Sequence, residues 1–397
     1  MKFTYRIISL LILLCPLSYT QTVDMNEYIK RARALDPKVK SLESVIMSKE
    51  SSIKQAGKKI NPSIELEAGN KEQFIGFFQD VEYPGKIDGR ITLAALEKEI
   101  AEMELRKYLI VSDLEFAGDY IDWFFANESV KLFGENKNIV NGINKIVEYN
   151  FKNGFGSKLD YLKSKVELNK AVRFLAEAEK KSEQLLDKIY QNSKISASEM
   201  PQNPKEIEIK GYLSLDECFA LAEKHNPDIR EARLKIKIAD AIKDNIILSA
   251  KPDFNLGISA GYEEGSFAAA FKFGMPLNLW DSKKDAVIES EHSAKSSEYD
   301  YQSLILNIRK EISGAFIEIK NNRKSISLFE NELLKESEEV FIDAKKLFES
   351  GELKMLDFLD AERTYLDVRI EYIEVKRALV FSLIRLNAAI GLTVTGN

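Results

Sequence analysis

The stretch "FESGELKMLDFLDAERTYL", Phe348–Leu366, has a near-copy earlier in the same chain, "FKNGFGSKLDYLKSKVEL", Phe151–Leu168. Each has a Phe, a Gly three residues on, and then Leu-Asp-aromatic-Leu. The flanks read as helix, and a lone glycine between helical patterns marks a turn. The doublet therefore predicts that the chain makes one kind of helical hairpin turn twice, at Gly154 and at Gly351.

Other landmarks repeat in the same order. Asp24-x-x-Glu27 and Ser214-x-x-Glu217 both match a capping box. Asp36-Pro37 and Asn226-Pro227 each restart a helix, with the polar residue as N-cap and proline at the first helical position. Pro62 and Pro252 open two further matched segments, "INPSIELEAG" and "AKPDFNLGISAG". Self-similarity over such a span is an internal duplication. We read residues 21–192 as the first structural repeat, 193–212 as a polar linker and 213–397 as the second repeat. The runs 91–150 and 283–349 lack proline and hold little glycine, so each predicts a helix of roughly 90–100 Å. The helices before and after each run sum to about the same length, which suits two helices stacked end to end beside one long partner. Leu356, Leu359, Leu366, Ile370 and Ile373 recur at coiled-coil spacing.

Four segments follow a period of two instead, near 62–70, 74–83, 253–262 and 267–276. Each has the length of a tilted transmembrane β-strand, and the turns between them are short and polar. Tyr83 and Trp280 lie where an interfacial aromatic girdle would sit. In lipid every backbone group needs a partner, so such strands must close into a barrel. Four strands cannot close alone, whereas three copies supply twelve.

Composition agrees with long solvated helices. Charged residues make up 30% of the 397, yet the net charge is −6, which gives no support to a nucleic-acid partner. Lys2 and Arg6 precede an apolar run, Ile7–Leu14, and residues 1–20 read as a cleaved signal peptide. Cys15 before Pro16 makes a poor lipid-anchor site, and after cleavage Cys218 is left without a disulfide partner. No transmembrane helix is expected. His225 and His292 stand apart from any Cys or His at ligand spacing, so no metal site, cofactor or catalytic constellation is expected.

With these features the chain resembles the TolC-like outer-membrane efflux family. The resemblance rests on the duplicated order, the Asp36-Pro37 and Asn226-Pro227 restarts and, above all, "SGELKMLDFLDAERTYL". It implies a mainly α fold with a transmembrane β portion, built as a homotrimer. Duplicated helical hairpins would form a periplasmic α-barrel beneath a shared barrel of twelve strands in the outer-membrane lipid. It also implies an exit duct, not an enzyme, that docks a periplasmic adaptor and an inner-membrane transporter. By match to the family pattern, Asp357 and Asp360 form the pore constriction. Asp160 is the first-copy counterpart of Asp357, but Lys163 stands where the second copy has Asp360, so the two tips are not equivalent. For Asp160 and Asp357 a plain capping role in the first turn of a helix stays open. The tips are the points furthest from the membrane, so Gly154, Ser157, Leu159, Asp160, Leu162, Gly351, Lys354, Leu356 and Leu359 are candidates for adaptor docking. A stand-alone porin and a structural coiled-coil envelope protein are the alternatives. The porin is disfavoured by the long helices, and the coiled-coil protein would have no lipid-facing strands.

Overall fold

The structure, a computed structural model, describes residues 23–70, 72–196, 198–200 and 214–394. The expected signal peptide and most of the linker lie outside the described residues. Two halves share one element order. The first runs α1 (Met25–Leu35), α2 (Pro37–Ala56), β1 (Ser63–Ala68), β2 (Glu72–Val81), α3 (Lys86–Lys152) and α4 (Lys158–Ser193). The second runs α5 (Leu215–His225), α6 (Pro227–Ser249), β3 (Phe254–Glu263), β4 (Ser266–Gly274), α7 (Lys284–Leu328), a π segment (Phe329–Leu333), α8 (Leu334–Glu349) and α9 (Met355–Ile390).

The caps explain the short helices. Asn226 Oδ1 accepts the backbone N–H of Asp228 at 2.8 Å and of Ile229 at 3.2 Å, with Pro227 at the first position of α6. Asp36 serves α2 in the same way, accepting from Lys38 at 2.8 Å. The two predicted capping boxes differ. Ser214 and Glu217 satisfy each other's backbone N–H. At α1, Asp24 accepts from Glu27 N–H, but the Glu27 carboxylate turns to Arg31.

The 67-residue α3 is about 100 Å long and carries partners at two levels. Near the strands α2 lies on one side of α3 and α6 on the other, with α7 beyond α6. Towards the tips α4 and α9 flank α3, with α8 beyond α9. Each level is thus a row of four rods whose outermost members have no outer helix beside them among the described residues. The second long run is not one uninterrupted helix. A π segment splits it where Phe329 is buried against Tyr372, whose hydroxyl donates to Glu330 at 2.8 Å. Such a bulge inserts one residue into the turn and re-phases the helix beyond it.

Three apolar cores line up along the rods. One joins α1, α3 and α4 around Tyr28, Ile121 and Ile189. The second joins α5, α6, α7 and α9 around Ile229, Ile312 and Ile390. The third, near the tips, brings Ile143 and Val147 of α3 against Phe341, Phe358 and Leu359 of the second repeat. The strands form one antiparallel sheet in the order β1-β2-β3-β4, so each repeat contributes one hairpin and β2–β3 joins them.

Candidate functional site

The sheet has two chemically opposite faces. Ile64 aligns with Phe77, Ile258 and Phe271 across the four strands, and Leu66 aligns with Ile75, Ala260 and Ala269. These side chains share one face, and its large members are exposed. Strand alternation puts Glu65, Glu67, Gly76, Phe78, Gly257, Ser259, Ala270 and Lys272 on the other face. An exposed sheet face of Ile, Leu and Phe is disfavoured in water and favoured in lipid. Among the described residues both edges, β1 and β4, are unpaired. Among the described residues, no helix is long and apolar enough to cross a membrane.

The junction below the sheet ties the two repeats together. Tyr83 N–H donates to Asp253 Oδ1 at 2.7 Å, and Lys86 Nζ reaches the same oxygen at 2.8 Å. Asn245 donates to Gly89 O at 3.1 Å. A Cβ on Gly89 would overlap Asn245, so glycine lets α6 approach the start of α3. Tyr83 is half-buried at this junction, while Trp280 is 94% exposed. None of these junction bonds was legible in the sequence, because each joins residues more than 150 positions apart.

At the other end of the helices the two tips share one backbone design. Gly154 and Gly351 take φ of 79° and 81°. Phe155 N–H and Gly156 N–H bond back to Asn150 O at 2.8 and 3.1 Å. Glu352 N–H and Leu353 N–H bond back to Leu347 O at 2.8 and 3.0 Å. Both are left-handed helix ends of Schellman type, at the same 197-residue offset as the sequence.

Their side chains differ. Ser157 caps α4, accepting from Asp160 N–H at 3.0 Å and donating to the Asp160 carboxylate at 2.7 Å. Asp160 therefore plays the capping part. Lys354, at the same place before α9, makes no side-chain cap. Asp357 and Asp360 are exposed, and among the described residues no ion pair within the protomer holds either one. Leu159, Leu162 and Leu356 are exposed as a docking surface requires. Leu359 is not. It is 4% exposed, against 48% for Leu162 at the matching position. Leu359 faces the core with Phe358 and Ile143 because α9 lies between α3 and α8, whereas α4 has α3 on one side only. Sequence reasoning also missed Phe155, exposed at the first tip, which follows Gly154 without a counterpart in the second copy.

Residues 219–392 match the family model described as outer membrane efflux protein. That match lies within the second repeat. A curated relative, the cobalt-zinc-cadmium resistance protein CzcC of Cupriavidus metallidurans, is 23% identical over 300 residues, covering 74% of this chain and 71% of its own. Two solved structures share the fold. CusC, at 17% identity, has a TM-score of 0.76 and covers 94% of this chain and 93% of its own. The Campylobacter jejuni CmeC outer membrane channel, at 14%, has a TM-score of 0.74 and covers 92% and 85%. The second repeat is thus similar in sequence to outer membrane efflux proteins, and the described chain shares its fold with CusC and the CmeC channel.

Proposed function

We propose that three copies assemble into the exit duct of a tripartite export system, conducting cargo passively from a periplasmic adaptor and inner-membrane transporter to the exterior. The carrying observation is the sheet, with one lipid-suited face, one polar face and two unpaired edges. Pairing β4 with β1 of a neighbour leaves no open edge when three copies close into twelve strands. The helical rows support the same closure. Leu162 and Val166 on α4 and Val340 and Leu347 on α8 are exposed on opposite edges of one row, as knobs awaiting a neighbour. A stand-alone porin has no use for rods of about 100 Å.

At the tips, Asp357 and Asp360 converge on the axis of the trimer in this reading and constrict the pore. Leu159, Leu162 and Leu356, framed by Gly154, Ser157, Gly351 and Lys354, form the adaptor-docking surface. The cargo class that the acidic inner face favours is cationic, which suits the metal ions in the relative's name.

Native mass measurement of the detergent-extracted protein tests the assembly. Three copies with β-signal are expected, and a monodisperse monomer with the same β-signal would refute it. Crosslinking through Ser157→Cys and Lys354→Cys tests docking, which fails if only mid-helix positions capture the adaptor.

A further inference from the structure

The polar face of the sheet carries five acidic side chains, Glu65, Glu67, Glu72, Asp80 and Glu263. Against them stands one base. Lys272 is the only Lys or Arg among the described residues of the four strands.

Lys272 is also held in an unusual way. It aligns with Gly257, Phe78 and Ser63 across the sheet. The Phe78 ring is buried although it belongs to the polar face. A Cβ on Gly76 or on Gly257 would overlap that ring, so Phe78 lies flat on a floor of two glycines. The Lys272 ammonium stands over the ring at 5.3 Å from its centroid. A flat aromatic on glycine shields backbone without filling the lumen, and its face attracts a cation. The charge of Lys272 is thereby anchored near the wall instead of swinging freely into the passage.

We propose that Lys272, seated on Phe78, is a specificity-determining residue of the duct: a positive collar inside the barrel that offsets the acidic lumen and limits its preference for cations. The collar rests on the trimeric reading above, in which the polar face lines the lumen. Three copies place three ammonium groups at one level. That level is on the helix side of the strands, since Val81 and Gly274 lead to the helices. Glu65 and Glu67 lie one and two pleats further towards the hairpin turns. Cargo leaving the helical cylinder passes Asp80, meets the basic collar one pleat on, and reaches the Glu65 and Glu67 rows after it.

The test is the reversal potential of single channels in planar bilayers under a salt gradient. An Asp357→Ala/Asp360→Ala background removes the tip carboxylates as a competing source of selectivity. Low salt, with a Debye length of about 30 Å at 0.01 M, lets fixed charges act across the lumen. Lys272→Met is expected to raise the cation-to-anion permeability ratio roughly two- to fivefold, and Lys272→Glu to raise it further. Lys272→Arg should retain the parent value, because a guanidinium also sits on an aromatic face. Glu65→Gln/Glu67→Gln should move the ratio the opposite way.

If Lys272→Met leaves the ratio unchanged while the glutamate variants shift it, the collar proposal falls and the lumen reading stands. It falls equally if Lys272→Met only loosens the trimer, since Lys272 would then be pairing with the neighbour's β1. The lumen reading has its own control. In a Cys218→Ser background, Lys272→Cys should react with a membrane-impermeant charged thiol reagent and Phe271→Cys should not. Equal reaction at both positions would refute the barrel assignment itself.

Discussion

Asn136 of α3 donates its side-chain amide to the carboxyl of Glu362 in α9, a bond between the two repeats in a place where both residues are buried. Burial pushes the Glu362 carboxyl above the usual carboxylate range. The Asn136 bond and Arg363 pull it back, while Glu167 of α4 and Asp367 push it up. Around it, exposed pairs tie α9 to the first repeat: Arg363 to Glu167 at 2.6 Å, Arg369 to Glu135 at 2.8 Å and Arg377 to Asp122 at 2.6 Å. Exposed pairs of this kind contribute little singly. Glu362 is the group whose protonation changes the seam.

Glu362 has a folded pKa above its ordinary value of 4.5, so the folded state binds more protons in the interval between the two. Its contribution to stability is therefore fully present below pH 4.5 and is lost as pH rises through the folded pKa. Glu362→Gln keeps an acceptor for Asn136 and removes the charge. We expect the variant to be at least as stable as the parent at neutral pH and to lose this part of the pH dependence. Thermal unfolding in detergent from about pH 4 to about pH 8 checks this, and a parent and variant with parallel profiles would contradict it.

Asp113 of α3 is buried and ion-paired to Arg33 of α1, with a further bond from Val394 N–H. Burial holds its carboxyl above the ordinary range despite the guanidinium. Arg33→Ala strands a buried carboxylate and should cost about 3–5 kcal/mol. Replacing both partners by Arg33→Met and Asp113→Leu should recover most of that loss. Denaturant titration of the single and double variants decides it, and a double variant as unstable as Arg33→Ala would show that packing, not the pair, dominates there.

The joint between α5 and α6 is where α9 ends. Asn226 caps α6 and also donates to Ala389 O at 2.8 Å. Gly391 takes φ of 91°, and a Cβ there would overlap the Asn226 backbone. Asn226→Ala should cost about 2 kcal/mol, combining a lost cap and a lost buried bond. Gly391→Ala should cost more, since strain and overlap add. The substitution Asp36→Asn should be mild by comparison, because asparagine caps as well as aspartate does. Melting temperatures in that order are expected, and a Gly391→Ala variant that melts with the parent would contradict the close approach of α9 to this joint.

In the proposed trimer, Asp357 and Asp360 would bring six carboxylates around one axis. Like charges at close range attract cations. Asp357→Ala/Asp360→Ala should weaken block by a trivalent cation without reducing the trimer fraction, measured by bilayer recording and native mass. Ser157→Ala, at the capped first tip, should instead cost about 1 kcal/mol and leave block unchanged.

Much of this was legible in the sequence. The duplication, the proline restarts with Asp36 and Asn226 as caps, the left-handed glycines 154 and 351 and the four strands all follow from local spacing and backbone chemistry. A proline without an N–H, a glycine free to take positive φ and a period of two act within a few residues, whatever surrounds them. The tertiary structure alone decided which side of each pattern faces what. Leu162 and Leu359 occupy the same place in one motif, yet one is exposed and the other buried, because near the tips α9 has a helix on both sides and α4 has only α3. The π segment at Phe329, the Asn136–Glu362 bond and the seat of Lys272 on Phe78 were equally hidden. Each depends on a contact between distant segments, and its existence is set by how the rods and strands pack, not by the residues beside it in the chain.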